Sequence, residues 1–171
     1  MSSPVPFFAS LERRIEEVDS LLCIGLDPHA SQLSEATTEA AVAFCLDIIR
    51  ETSPYAACFK PNSAFFEALG AEGMAALQTV LAAIPASIPV ILDVKRGDID
   101  TTAQAYAEAA LSFLKVGSVT LSPYMGLDSI RPFVTGKHAS CAAFVLCKTS
   151  NPSSKVMNER SMTIHSFHRN T

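Results

Sequence analysis

The chain has 171 residues, 49% of them hydrophobic and 18% charged, with a net charge of −4. That supports one soluble domain with a large buried fraction. It excludes a broad basic surface for nucleic acid or anionic membrane, so an anionic ligand has to be met by a few local cations.

Taken in chain order, the N-terminal MSSPVPFFASLERRIEEVDS lacks a basic segment followed by an apolar core and is not read as a secretory signal. Residues 10–18 predict an amphipathic helix with Ser10 as its N-cap. Residues 21–26 (LLCIGL) read as a strand ending at Asp27. Residues 38–51 predict a helix, with Val42, Cys45, Leu46 and Ile49 on one stripe. A second strand, 56–59, runs into Lys60 and Asn62. A helix over 71–83 follows, with Gly73 near its start. The third strand, 88–92, meets Asp93 and Lys95. Helical periodicity returns over 101–116. The fourth strand, 118–121, ends at Ser122, and a shorter helix spans 127–134. The fifth strand, 142–147, ends at Lys148, Thr149 and Ser150. Beyond Ser154 the periodicity stops, and His165 and His168 read as part of an exposed tail rather than as metal ligands.

Strands alternating with helices argue for parallel βα units, and near-continuous apolar strands fit a sheet covered on both faces. A doubly wound sheet and a barrel both satisfy this pattern. The polar or ionisable residue at the end of every strand favours a barrel, which collects its chemistry from several strand ends on one face. No glycine-rich nucleotide motif is present. The five cysteines, Cys23, Cys45, Cys58, Cys141 and Cys147, show no CxxC spacing and read as buried free thiols. No apolar run is long enough to span a bilayer, and a cytoplasmic location is the expectation.

The stretch ILDVKRGDID, residues 91–100, departs from the apolar pattern. Alternation along a strand puts Asp93 and Lys95 on one face. Buried charges need partners, and Lys60 ends the neighbouring strand. Three ionisable groups from two strands thus converge, with Asp98 following after Arg96 and Gly97. Such a preorganised ammonium can stabilise negative charge developing on a substrate carbon and deliver a proton to it. His29, Tyr124 and Met125 read as loop residues near this end, Arg96 as a solvated or interface residue, and Phe59, Phe65 and Phe66 as core.

Asp93-x-Lys95-x-x-Asp98 with Lys60 one strand earlier resembles the signature of the orotidine 5'-phosphate decarboxylase family. GLDPH at 25–29, FKPNSAFF at 59–66, SPYMGL at 122–127 and TSNP at 149–152 extend the resemblance over about residues 7–154. It looks most like the branch that includes some bacterial enzymes and some fused UMP synthases. The resemblance implies a (β/α)8 TIM barrel that converts orotidine 5'-monophosphate to UMP in de novo pyrimidine biosynthesis, a carboxy-lyase with no metal and no organic cofactor. It assigns Lys95 to stabilising and protonating the C6 carbanion, and Asp93 to the acid beside the departing carboxylate. Lys60 would join the charge network and touch the ribose, and Asp27 would bind a ribose hydroxyl. Asp98 and Thr102 would reach into the site of the second subunit of a homodimer. Ser150, with Thr149 as the alternative, would bind the pyrimidine.

About five βα units are legible where the fold needs eight. Residues 1–155 therefore read as a partial, C-terminally truncated barrel, and 156–171 as a tail outside the family pattern. On that expectation the strands that grip the 5'-phosphate are absent and activity of the chain is impaired. Two alternatives stand beside it. One is a metal-dependent phosphosugar aldolase of the same superfamily, which would need an acidic ligand where Lys60 stands. The other is a non-catalytic fragment that binds a full-length partner.

Overall fold

The computed structural model describes residues 6–135 and the backbone of 142–145. Thr149, Ser150, Cys141, Cys147 and the 156–171 tail lie outside the described residues. The chain opens with α1 (Phe7–Val18), which begins three residues earlier than its sequence predicts. Pro6 stands at the N-cap, and the Ser10 amide already makes the first helical bond, to the Pro6 carbonyl at 3.1 Å. A proline suits a helix start because its missing N–H would have had no intrahelical partner.

Strand β1 (Cys23–Leu26) is followed by α2 (Thr38–Thr52). The Thr37 hydroxyl accepts the Ala40 amide and caps α2. After β2 (Cys58–Pro61), the Asn62 side chain accepts the Ala64 amide and starts the short α3 (Ser63–Glu67). Helix α4 (Gly70–Ala83) packs so closely on α3 that a Cβ at Gly73 would lie 2.0 Å from the Phe66 carbonyl oxygen. Strand β3 (Ile91–Arg96) contains the charged residues instead of stopping before them. Helix α5 (Asp100–Ala107) continues as a π-helical segment, Glu108–Phe113. Strand β4 (Ser118–Leu121), α6 (Arg131–Val134) and β5 (Ala142–Val145) complete the order.

All strand pairings are parallel. Strand β1 pairs with β2, β3 with β4, and β4 with β5. Bridges Phe59 to Val90 and Asn62 to Asp93 join β2 to β3. The spatial order therefore equals the chain order, with no switch point. A doubly wound sheet reverses direction at such a point, whereas a barrel runs on in sequence. The five strands form an arc of an incomplete (β/α)8 barrel; no closed barrel is formed among the described residues.

Alternate strand residues separate two environments. Leu26, Phe59, Leu92, Val119 and Leu121 face the helices, buried against Cys45 and Ile49 of α2, Phe66 of α3, Leu77 and Val80 of α4 and Phe133 of α6. The inner face carries Cys23 and Gly25, Cys58 and Lys60, Ile91 and Asp93, and Ser118 and Thr120. Helix α1 closes the lower end of this face: Phe7 is buried against Cys58 and Ile91, flanked by Phe8 and Leu11. Arg14 of α1 is buried as well. Its Nε donates to the Ala56 carbonyl at 3.1 Å and its Nη2 to the Ser53 carbonyl at 2.6 Å, satisfying acceptors left past the end of α2.

Candidate active site

The upper end of the inner face collects Lys60, Asp93 and Lys95. Lys95 Nζ lies 2.6 Å from Asp93 Oδ1, and Lys60 Nζ lies 3.3 Å from Asp93 Oδ2. Asp93 is only 6% exposed, so an unpaired charge there would cost several kcal/mol. The lysines are more open, with side chains 32% and 54% exposed. Two cations around one carboxylate leave one positive charge in excess within the trio, directed at the open end of the arc.

The trio is not held by strand alternation alone, as its sequence predicts. Leu92 pairs with Val119 and Arg96 with Leu121, so three residues of β3 oppose the single Thr120 of β4. This bulge bends the strand, and Lys95 takes a left-handed backbone with φ 44°. A lysine in that region costs roughly 1 kcal/mol relative to an ordinary backbone. The buried Thr120 hydroxyl holds the bulge together. It donates to Asp93 Oδ1 at 2.6 Å and accepts the Val94 and Lys95 amides at 3.1 and 3.0 Å. Thr120 is the site residue that the sequence concealed. One threonine in an apolar strand is an ordinary β-former, and only the register reveals what it faces.

Burial alone would push the Asp93 carboxyl up. The hydrogen bonds from Lys95 and Thr120, with the charges of Lys60 and Lys95, outweigh that and hold it below the usual carboxylate range. Asp93 is therefore an anion at neutral pH.

Asp27 follows β1 at the same end. Its Oδ1 is buried and has no hydrogen-bond partner among the described residues. Buried carboxylate oxygens are rarely left so, and a hydroxyl donor from a ligand would satisfy it. Asp98 stays apart from the trio: its Oδ1 accepts the Ile99 amide at 2.8 Å, just before α5. Thr102 is exposed on α5. Gly97 makes the turn between the trio and Asp98 possible, because a Cβ there would lie 2.6 Å from the Ser122 carbonyl oxygen.

The neighbouring residues have structural roles. Arg96 stays 32% exposed, pairs with Glu67 at 2.5 Å and lies 4.9 Å above the Tyr106 ring. It thereby ties α3 to α5. The His29 ring packs edge-on against Phe65 at 4.3 Å. Tyr124 and Met125 are exposed in the loop after β4. Of the cysteines, Cys45 and Cys58 are buried free thiols, but Cys23 is exposed, because it points from the first strand of an arc that no strand covers among the described residues.

Comparison with known proteins places these features in a family. Residues 20–170 match the Orotidine 5'-phosphate decarboxylase / HUMPS family model. A curated orotidine 5'-phosphate decarboxylase from Herpetosiphon aurantiacus is 52% identical over 136 residues, covering 78% of this chain and 50% of the relative. The solved Leishmania donovani OMP decarboxylase is 51% identical with a TM-score of 0.76, over 85% of this chain and 55% of the other. The solved UMP synthase of the same organism is 52% identical with a TM-score of 0.78, over 87% and 32%. The chain spans about half the length of the curated decarboxylases it matches.

Proposed function

The chain belongs to the orotidine 5'-phosphate decarboxylase / HUMPS family, and from that premise we propose that its charge trio serves the decarboxylation of orotidine 5'-monophosphate to UMP. The observation that carries this reading is the Lys60–Asp93–Lys95 cluster fixed by Thr120. Loss of CO2 from the pyrimidine leaves an sp2 carbanion that the ring delocalises poorly. The Lys95 ammonium, already in position, lowers the energy of that charge and then supplies the proton. Asp93 sits beside the departing carboxylate and orients the ammonium. Lys60 balances Asp93 and contacts the ribose. The excess positive charge of the trio suits an anionic substrate.

The partnerless Asp27 oxygen supports a contact to a ribose hydroxyl. Ser150 or Thr149 would bind the pyrimidine. Asp98 and Thr102 would act in the site of a second copy of the chain, forming a homodimer. The exposed Ile99 between them, 54% accessible, supports an interface there. The reaction needs no metal or organic cofactor, because the cation that steadies the carbanion is a side chain. A metal-dependent aldolase is the less favoured reading, since Lys60 already holds the Asp93 oxygen that a divalent cation would need. No described helix is long and apolar enough to cross a membrane, and we place the protein in the cytoplasm.

The test is ultraviolet-monitored loss of orotidine 5'-monophosphate with the purified chain and its Lys95→Ala variant, alongside UMP binding by calorimetry. UMP binding by both is the expected result, with any turnover, however reduced, confined to the protein that keeps the lysine. A chain that neither binds UMP nor consumes the substrate overturns the proposal.

A further inference from the structure

We propose that Cys23 and Cys58 form a peroxide-sensitive dithiol at the lower end of the inner face, with Cys23 the reacting thiol and Cys58 the one that resolves it into a disulfide. Their placement is the main argument. Cys23 and Cys58 are direct partners in the parallel register of β1 and β2, so their side chains leave the sheet on the same side. Adjacent strands lie about 5 Å apart, inside the Cα separation that a disulfide bridges. Cys23 is exposed and Cys58 is buried beneath Phe7, giving one thiol that meets solvent and one that waits beneath it.

The surroundings distinguish the two sulfurs. The Cys58 thiol donates a hydrogen bond to Cys23, which pulls the Cys23 thiol down to about 7 against the rise from burial. Lys60, two residues along β2 on the same face, favours the thiolate, and Asp27 at the end of β1 opposes it. The bond to Cys23 and burial both push Cys58 up, so it stays a thiol. Cys45, buried behind the sheet, is pushed up to about 12 by burial and by Asp27. Among the described cysteines, one is therefore poised to react, one to resolve, and one to remain inert.

The chemistry balances with a hydroperoxide as oxidant. The Cys23 thiolate attacks the terminal peroxide oxygen and the O–O bond breaks. The leaving oxygen takes up the proton that the thiol released, and Cys23 becomes a sulfenic acid. The Cys58 sulfur then attacks the Cys23 sulfur. An S–S bond forms, the S–O bond breaks, and the hydroxide leaves as water with the Cys58 proton. Two thiols lose two electrons and one hydroperoxide gains them. Oxidation also removes the thiolate near Lys60, leaving that ammonium with Asp93 as its main counter-charge.

The reduced full chain is treated with hydrogen peroxide near neutral pH and mapped by tandem mass spectrometry. The expected product has lost the mass of two hydrogens, carries a Cys23–Cys58 crosslink, and reverts with dithiothreitol. Cys58→Ser should stop at a Cys23 sulfenic acid that dimedone traps, and Cys45→Ser should behave as the parent does. A measurement that needs no variant is differential alkylation of the native chain, in which Cys23 should react roughly tenfold or more faster than Cys45. A crosslink that omits either cysteine, or alkylation of Cys23 no faster than that of Cys45, overturns the inference.

Discussion

The Thr120 hydroxyl lies 2.6 Å from Asp93 Oδ1 and also receives the backbone amides of Val94 and Lys95. One buried oxygen thus fixes both the carboxylate and the backbone of the lysine that the carboxylate orients. Thr120→Val keeps the shape and removes the oxygen, leaving two amides without their acceptor and Asp93 with the two lysines as its remaining donors. The expected cost is about 1–3 kcal/mol in chemical denaturation, with the Asp93 carboxyl moving up in a carbon NMR titration. Thr120→Ser should restore both. A valine variant that titrates like the parent would show that the hydroxyl does not act on Asp93.

Lys95 offers a comparison between two variants. Lys95→Ala and Lys95→Gly both lose the ammonium, and on the proposed function both should remove any decarboxylation while leaving UMP bound. Glycine accepts φ 44° without the Cβ penalty. The glycine variant should therefore be more stable than the alanine variant by about 1 kcal/mol, less the chain entropy that glycine loses on folding. Urea midpoints check this; an alanine variant that is the more stable would mean the backbone there is not strained.

The acid side of the stability curve should report Asp93. Its folded carboxyl lies below the ordinary 3.8. A depressed carboxyl contributes its full stabilisation above the unfolded value and loses it as pH falls through the folded one. The gap in stability between parent and Asp93→Asn should thus be constant at neutral pH and close only below about pH 4. A gap that closes between about pH 8 and pH 6 would point to a different titrating group.

Gly97→Ala tests the turn beyond the trio. A methyl group would meet the Ser122 carbonyl oxygen at 2.6 Å, next to the 2.7 Å bond from the Ser122 amide to the Arg96 carbonyl. Pushing the strands apart should cost about 1–3 kcal/mol, read as a lowered thermal midpoint. An unchanged midpoint would show that the turn yields easily.

Asp27→Ala tests the ribose contact. Loss of one charge-assisted hydrogen bond should weaken UMP binding by about 1.5–3 kcal/mol with little change in fold stability. Calorimetry on both proteins decides it.

The architecture is readable in the sequence because short apolar runs alternate with helical segments and each run meets a polar residue at its end. Lys60, Asp93 and Lys95 were visible together because buried charges on neighbouring strands must meet. Thr120 and the bulge were not, since a threonine is unremarkable in a strand and nothing in VKRG announces a left-handed lysine. Ser10 resembles a cap and hides the start of α1, a role that Pro6 with φ −55° fills. The exposure of Cys23 is not legible either, since a residue in an apolar strand is ordinarily covered.

Arg14 and Phe7 lie seven residues apart on α1, about two helical turns, so both point from one face and serve the same strand. The guanidinium fastens α1 to the segment leading into β2, and the phenyl ring presses on Cys58, two positions before Lys60. The first helix is thus a keel beneath the arc: loosening it would let β2 slide, and the ammonium at its far end would drift from its carboxylate without any change near the mouth.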